Sequence, residues 1–491
     1  MQNISKTILE PSDHLNVENS TNTVSVIAPR IAAEKVVAEL DSLLSKTSTS
    51  CIDVGSITSE PPSSALLEDI GRMTNALVEF DPRDGMVHVS WIDLSDSPEG
   101  LETAGDVVRR SLYSALLPRP RTSSSLAVVP QRHSIYGRHL PSPDCGPHLP
   151  WYERRQQWAR WYRPLGRQQP RMAKYSPIIL SSILPRPIEV KSNAPCDEDA
   201  VSTSTSKGWS HGPETSTRAV FGHVLHSYKS QNNLADLTAV DPLLKRTFIP
   251  RVPPLTALNF PSLLAENRGT ALLRFIPNPQ QSCPSGISFP QLELRFQVNF
   301  DKMAFAHITS LRVLADSFVG DVLVPSAPVD VRLKQDCYFE LRGSDLEEYA
   351  PVVLDFVHAS DLRPWDGKLG FPPGFKGLEL PRRLLATESS ENNTDLSLEE
   401  TTAVNYLFSS FELQRDVSTQ YKGFKLSYTS IEAGRSAGGI SEMALDAVTV
   451  GPHDSSAQSD RSGKSFLRAV SKLAFRVVQQ EGKFGWQDLQ P

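Results

Sequence analysis

The stretch Gln291-Leu292-Glu293-Leu294-Arg295-Phe296-Gln297-Val298-Asn299-Phe300 sets five apolar side chains against Glu293, Arg295, Gln297 and Asn299 in strict alternation. Successive side chains of a strand point to opposite faces, so a period of two predicts a half-buried strand. The same pattern recurs at Val329, Val331 and Leu333, at Val404, Tyr406 and Phe408, and at Phe424, Leu426 and Tyr428. Strands with one polar face predict antiparallel sheets that are wet on one side. Residues 216–491 therefore read as a larger, mainly antiparallel β-rich domain. Phe466, Val470, Leu473 and Val477 are spaced for a C-terminal helix, with Gly482 as its C-cap. The acidic, Ser- and Asn-rich run 387–402 reads as a loop.

Upstream the texture differs. Residues 1–22 are polar and acidic, and their composition predicts disorder. Val24 to Ile27 reads as a strand, and Pro29 sits where a helix would start. Ala33, Val36, Val37, Leu40, Leu43 and Leu44 follow at helical spacing. Ser50–Val54, Leu77–Phe80 and Met86–Ile92 are strand-like, with Ala65–Thr74 and Leu101–Leu116 as helices. Asp81-Pro82-Arg83-Asp84-Gly85 is a hairpin turn signal. Residues 23–118 thus form a small α/β region, and the chain as a whole belongs to the α+β class.

The length of 491 residues allows about three domains. A net charge of −6 excludes a globally basic nucleic-acid packer. Cys51, Cys145, Cys196, Cys283 and Cys337 are too scattered for a disulfide framework or a structural zinc site. No run approaches the roughly 18 apolar residues of a spanning helix, so membrane contact is expected to be peripheral. Glu10, Asp13 and Glu18 near the start are unlike an Arg-rich presequence, and no apolar signal segment precedes them.

Charge is unevenly spread. Arg119, Arg121, Arg132, Arg138, Arg154, Arg155, Arg160, Arg163, Arg167, Arg171 and Lys174 face only Asp144 and Glu153, which makes 118–174 a +9 segment. Residues 119–215 read as a basic, Pro- and Arg-rich connector with a helix near 151–163. On a helix Arg154, Trp158 and Trp161 would share one side, with Arg155 beside them. Arg154, Arg155, Trp158, Arg160, Trp161, Arg163 and Arg167 are the candidate contacts. Arginines pair with phosphates while rings stack on bases, which suits single-stranded RNA. Two other readings stay open. The tryptophans could pack on the β-rich domain with the arginines meeting acids, or the segment could lie on an anionic membrane surface.

Several short stretches together carry a family resemblance: Phe221-Gly222-His223-Val224-Leu225-His226, Leu273-Arg274-Phe275-Ile276-Pro277-Asn278-Pro279, Phe289–Phe296, Val329-Asp330-Val331-Arg332 and Tyr428-Thr429-Ser430-Ile431-Glu432-Ala433-Gly434. In this order, with Trp158-Ala159-Arg160-Trp161 before them, they resemble the fungal Sls family of mitochondrial inner-membrane-bound regulators, and 23–118 is similar to its KH-like units. The resemblance implies a non-catalytic regulator on the matrix side of the inner membrane. It would link mitochondrial transcription or mRNA to translation and respiratory-chain biogenesis. The implied partners are mitochondrial RNA, transcription or translation proteins and the membrane surface, with no cofactor and no small-molecule substrate. A protein-only scaffold for respiratory-chain assembly is the alternative. Without a presequence, the N-terminus is expected to be incomplete. The region 23–118 also lacks the GxxG loop with which a KH domain clamps RNA backbone, so it reads as degenerate. Gly367–Gly370 and Gly374–Gly377 match that pattern without a helix–loop–helix setting and read as turns.

Other motifs are weak. Gly434-Arg435-Ser436-Ala437-Gly438, followed by Asp446 and His453, matches a nucleophile elbow but lacks strand–helix alternation around it. His223 and His226 would point to opposite faces of a strand, and Cys145 with His148 has no further ligand nearby.

Overall fold

The computed structural model describes residues 8–10, 13–18, 23–93, 100–117, 122–128, 136–142, 148–162, 183–192, 208–210, 212–227, 235–236, 245–250, 268–281, 287–299, 304–325, 327, 329–362, 369–387, 401–433, 438–449 and 463–476. The chain divides into two units, Met1–Leu117 and Pro118–Pro491.

In the first unit three antiparallel strands, Thr47–Asp53, Met86–Ile92 and Leu77–Asp81, form a sheet with the second in the middle. The hairpin at 81–86 is held by the Asp81 and Asp84 carboxylates, which accept from the N–H groups of Arg83 and Met86, while Gly85 adopts φ +70°. Helix Ser64–Thr74 starts at an N-cap Ser63 and stops at Asn75, whose left-handed φ of 55° turns the chain into the next strand. Helix Ala104–Leu116 opens with a capping box between Thr103 and Asp106. Ile52, Ile70, Val87, Val89, Val108 and Leu112 are buried between the helices and the sheet. Residues His14–Glu18 correct the expected disorder: they pair antiparallel with Thr23–Ile27. Helix Arg30–Ser45 follows with only Val36 buried.

The second unit contains a closed antiparallel ring of eight strands. In chain order they are β1 (Glu214–Ser227), β2 (Arg268–Pro277), β3 (Gln291–Asn299), β4 (Ala304–Leu323), β5 (Asp330–Leu341), β6 (Thr401–Tyr421), β7 (Phe424–Glu432) and β8 (Gly439–Thr449). Around the ring the order is β1, β5, β4, β3, β2, β6, β7, β8. Arg218 to Phe221 of β1 pair with Asp446 to Met443 of β8 and close it. The ring is a barrel, which leaves no free edge over the paired length.

The outer face of the wall is apolar. Leu292, Leu294 and Phe296 of β3 join Leu273, Phe275 and Phe408 under helices Ser344–Tyr349 and Pro351–Ala359. Phe275 meets Phe356 and Phe375 edge-on at 5.0 Å. On another sector, helix Gly463–Arg476 lays Phe466, Leu467, Val470 and Leu473 on Phe424, Leu426, Met443 and Leu445. The expected alternation is therefore present, and its apolar face is the outside of the barrel.

Residues 119–215 are not a bare connector. Strands Thr122–Val128, Tyr136–Pro141 and Trp158–Tyr162 join the same sheet as the barrel, the first of them parallel to β4. The helix expected near 151–163 is absent. A single 3-10 turn, Trp151–Glu153, leads into the strand Trp158–Tyr162, which pairs with both 138–141 and the end of β1. Bulky, buried Trp158 and Trp161 suit a sheet packed on the core, and this pairing overrides helical spacing. Of the expected acidic loop, Thr387, Thr401 and Thr402 lie in strands and 388–400 lies outside the described residues, as does Gly482.

Candidate functional site

The Trp/Arg segment divides into anchors and surface. Trp158 is buried with Leu149, Leu225 and Ile249, and its indole N–H donates to the Glu153 carbonyl at 3.0 Å. Trp161 is buried with Val224 and Leu323. The Arg160 guanidinium donates to both carboxylate oxygens of Asp330, at 2.8 and 3.0 Å, and to the Ala327 carbonyl. Asp330 is fully buried and also accepts the N–H groups of Val224 and Val324. A buried bidentate pair with its remaining lone pairs satisfied is a structural clasp. Trp158, Arg160 and Trp161 are thus withdrawn from the surface, a correction to their place among the candidate contacts. Arg154 and Arg155 remain exposed, with Arg154 Nε donating to the Leu149 carbonyl. Arg163 and Arg167 lie outside the described residues.

The charged residues that sequence reading passed over converge inside the barrel. Arg274, Glu293, Arg312 and Glu340 stand opposite one another across β2, β3, β4 and β5, a row of alternating sign along the inner wall. Arg274 bonds Glu293 at 3.2 Å and also bonds Glu412, while Arg312 bonds Glu340 at 2.6 Å. Arg218 of β1 pairs with Glu442 and Asp446 of β8, both at 3.2 Å, and donates to the hydroxyls of Ser427 and Thr429. Burial pushes the Glu293 carboxyl up, but Arg274 and Arg295 outweigh it and hold Glu293 below the usual range. Burial likewise opposes ionisation of Glu442, and Lys334, Arg218 and Arg274 outweigh it. Arg274 lies three strands round the ring from Glu442, so that coupling crosses the lumen.

The luminal arginines are not fully packed. The side chains of Arg274, Arg295 and Arg218 keep 36%, 32% and 32% of their surface exposed, although they are on the inner wall. Their neighbours on the outer face, Leu273 and Leu294, keep 1% and 0%. Glu293 and Arg295 were legible as the polar face of a strand; nothing local told that this face encloses a channel.

The KH-like region has no clamp. After strand Thr47–Asp53, where the chain approaches helix Ser64–Thr74, stand Gly55-Ser56-Ile57-Thr58-Ser59-Glu60-Pro61-Pro62, with one glycine and no cation. Residues 23–117 hold seven Lys and Arg against fifteen Asp and Glu, a net charge of −8 that repels phosphate. Gly374–Gly377 lies on strand Gly374–Pro381 rather than between helices. Gly434 to Ala437 and His453 lie outside the described residues, and Asp446 of that motif is the Arg218 partner in the lumen. No described helix is long and apolar enough to cross a membrane.

A model of the SLS1 protein C-terminal beta barrel domain matches residues 147–473, more than half of the chain. A model of the SLS1 protein second KH domain matches residues 39–115. The chain belongs to the SLS1 family. SLS1 membership makes it an RNA-related mitochondrial regulator, and SLS1 and KH domains are not enzymatic families. No curated protein matches the chain. Among solved structures it is similar to the S. pombe Pct1 RNA triphosphatase, at 10% identity over 55% of this chain and 84% of that one, with a TM-score of 0.24. The same enzyme in complex with the Spt5 CTD is similar at 10% identity, over 56% and 81%, with a TM-score of 0.22. Likeness at that level carries no argument about the fold or chemistry of this SLS1 chain.

Proposed function

We propose that this SLS1-family chain is a non-catalytic regulator of mitochondrial gene expression at the matrix side of the inner membrane. It links mitochondrial transcription or mRNA to translation and respiratory-chain biogenesis. RNA is held by the basic segment of the second unit rather than by the KH-like region, which lacks the clamp and is acidic. One observation carries this reading. Trp158, Arg160 and Trp161 fasten the segment to the barrel sheet, which leaves Arg154 and Arg155 at the surface beside a chain rich in further arginines. A rigid platform with exposed guanidinium groups binds phosphates without ordering cost.

The test is fluorescence anisotropy of labelled single-stranded RNA on the full chain at low and near-physiological salt. Binding should weaken as salt rises. The Arg154→Ala/Arg155→Ala variant should bind more weakly and lower the salt slope by about two. No retention of RNA at low salt, or an unchanged slope in the double variant, would leave the protein-only scaffold for respiratory-chain assembly as the better reading.

A further inference from the structure

The 81–86 hairpin of the first unit brings three metal-ligating side chains together. Asp81, Asp84 and His88 each offer one ligand atom, and these atoms all lie within 4.8 Å of one another. Asp84 Oδ2 is 3.4 Å from His88 Nε2. Two ligands on one tetrahedral ion, with bonds of about 2.1 Å, stand about 3.4 Å apart.

The turn does not use these groups up. The Arg83 and Met86 N–H groups donate to Asp81 Oδ1 and Asp84 Oδ1, so the second oxygen of each carboxylate stays clear of the turn. Neither carboxylate has a Lys or Arg ion pair among the described residues. Glu79, directly across the strands from His88, adds a third acid to the same face. A protonated His88 offsets one of these charges, whereas a divalent ion offsets two.

A separate observation lies behind the histidine ring. Cys51 stands opposite His88 on strand Thr47–Asp53 and places its Sγ 3.3 Å from His88 Nδ1. A histidine that binds metal gives its other ring N–H to a neighbour, which fixes the tautomer and the ring's orientation. With Nδ1–H donating to Sγ, the lone pair is on Nε2, the nitrogen that faces Asp84. Asp84 and His88 are exposed and Asp81 is half-buried, so the remaining coordination positions are open to water.

We infer that Asp81, Asp84 and His88 bind a divalent zinc-class ion, with Cys51 as the positioning residue behind His88. Imidazole nitrogen with carboxylate oxygen suits zinc, whereas copper(I) selects thiolate and thioether. Calcium takes six to eight oxygens, more than this set supplies, and has no use for the imidazole. The site departs from the expectation of no cofactor, and it stands or falls independently of RNA binding by Arg154 and Arg155.

The probe is zinc alone, titrated calorimetrically into the metal-stripped, reduced full chain. One saturable site is expected, weakened at least tenfold in His88→Gln and in Asp84→Asn. The Asn side chain keeps an oxygen for the Met86 N–H, so that variant retains the turn. Cys51→Ala should weaken zinc about tenfold, and Cys51→Ser, which keeps an acceptor for Nδ1–H, should restore most of the affinity. His358→Gln, at the exposed end of helix Pro351–Ala359, should bind as wild type does. Absence of a saturable site at submillimolar zinc, or equal affinity in His88→Gln and wild type, would overturn the inference. Equal loss in Cys51→Ser and Cys51→Ala would overturn the positioning role of Cys51.

Discussion

In the KH-like unit Ile52, Val87, Val108 and Leu112 are inside, and ion pairs such as Arg30–Glu34 and Arg72–Glu68 lie on exposed helix surface. In the barrel the arrangement is reversed. Leu292, Leu294 and Phe296 look outward beneath helices, and Arg274, Glu293, Arg312 and Glu340 look inward. The first arrangement is what a small domain needs for stability, and its surface pairs contribute little. The second carries a desolvation cost at each charge, which only good geometry offsets. The difference separates two uses of charge. The KH-like unit keeps its ion pairs on the surface, whereas the barrel lines its interior with them.

The largest test of this contrast is Arg160→Met. It leaves the Asp330 carboxylate buried with only backbone donors, and should cost about 3–5 kcal/mol in denaturant unfolding of the second unit. Much of the loss should return in Arg160→Met/Asp330→Asn; no recovery would mean that packing, not the orphaned charge, was lost. In the KH-like unit the comparable loss should come from an apolar residue, with Leu112→Ala costing about 2–5 kcal/mol by opening a cavity, measured by the same unfolding experiment.

A pH series sharpens the comparison. Burial raises Glu102 to about 7 despite its Arg110 partner, so the folded state holds this proton more tightly than the unfolded chain, whose value is 4.5. The stabilisation is full below pH 4.5 and is lost as pH rises through about 7. Between pH 4 and 8 the wild type should therefore lose up to about 3 kcal/mol relative to Glu102→Gln, which stays neutral. The smallest effects belong to the helix caps. Ser63→Ala and Thr103→Ala should each cost about 1 kcal/mol in thermal or denaturant melts, and an effect near zero would mean that tertiary packing alone sets those helix starts.

Much of the local structure was legible. The Asp81–Gly85 turn, the helix from 64 to 74 and the alternating strand at 291–299 follow from turn chemistry, 3.6-residue spacing and two-residue spacing. The Trp/Arg segment was misread because four bulky residues at 158–162 satisfy both a helical stripe and a strand. The choice was made by pairing with residues 225–227, more than sixty positions away. Arg160 was read as a contact for the same reason: its partner, Asp330, is 170 residues distant.

Sequence alone determined that β3, β5, β6 and β7 contain strands with one polar face, and that the first unit carries helices on a short sheet. Only the tertiary structure decided which way the polar faces look. Alternation reports that one side of a strand is polar, and that pattern is the same for an open sheet facing water and for a wall facing a channel. The decision came from Arg218–Phe221 pairing with Met443–Asp446, which closes the ring and turns a wet surface into a lumen. No local pattern encodes such a contact, because it forms only when the two ends of the sheet meet.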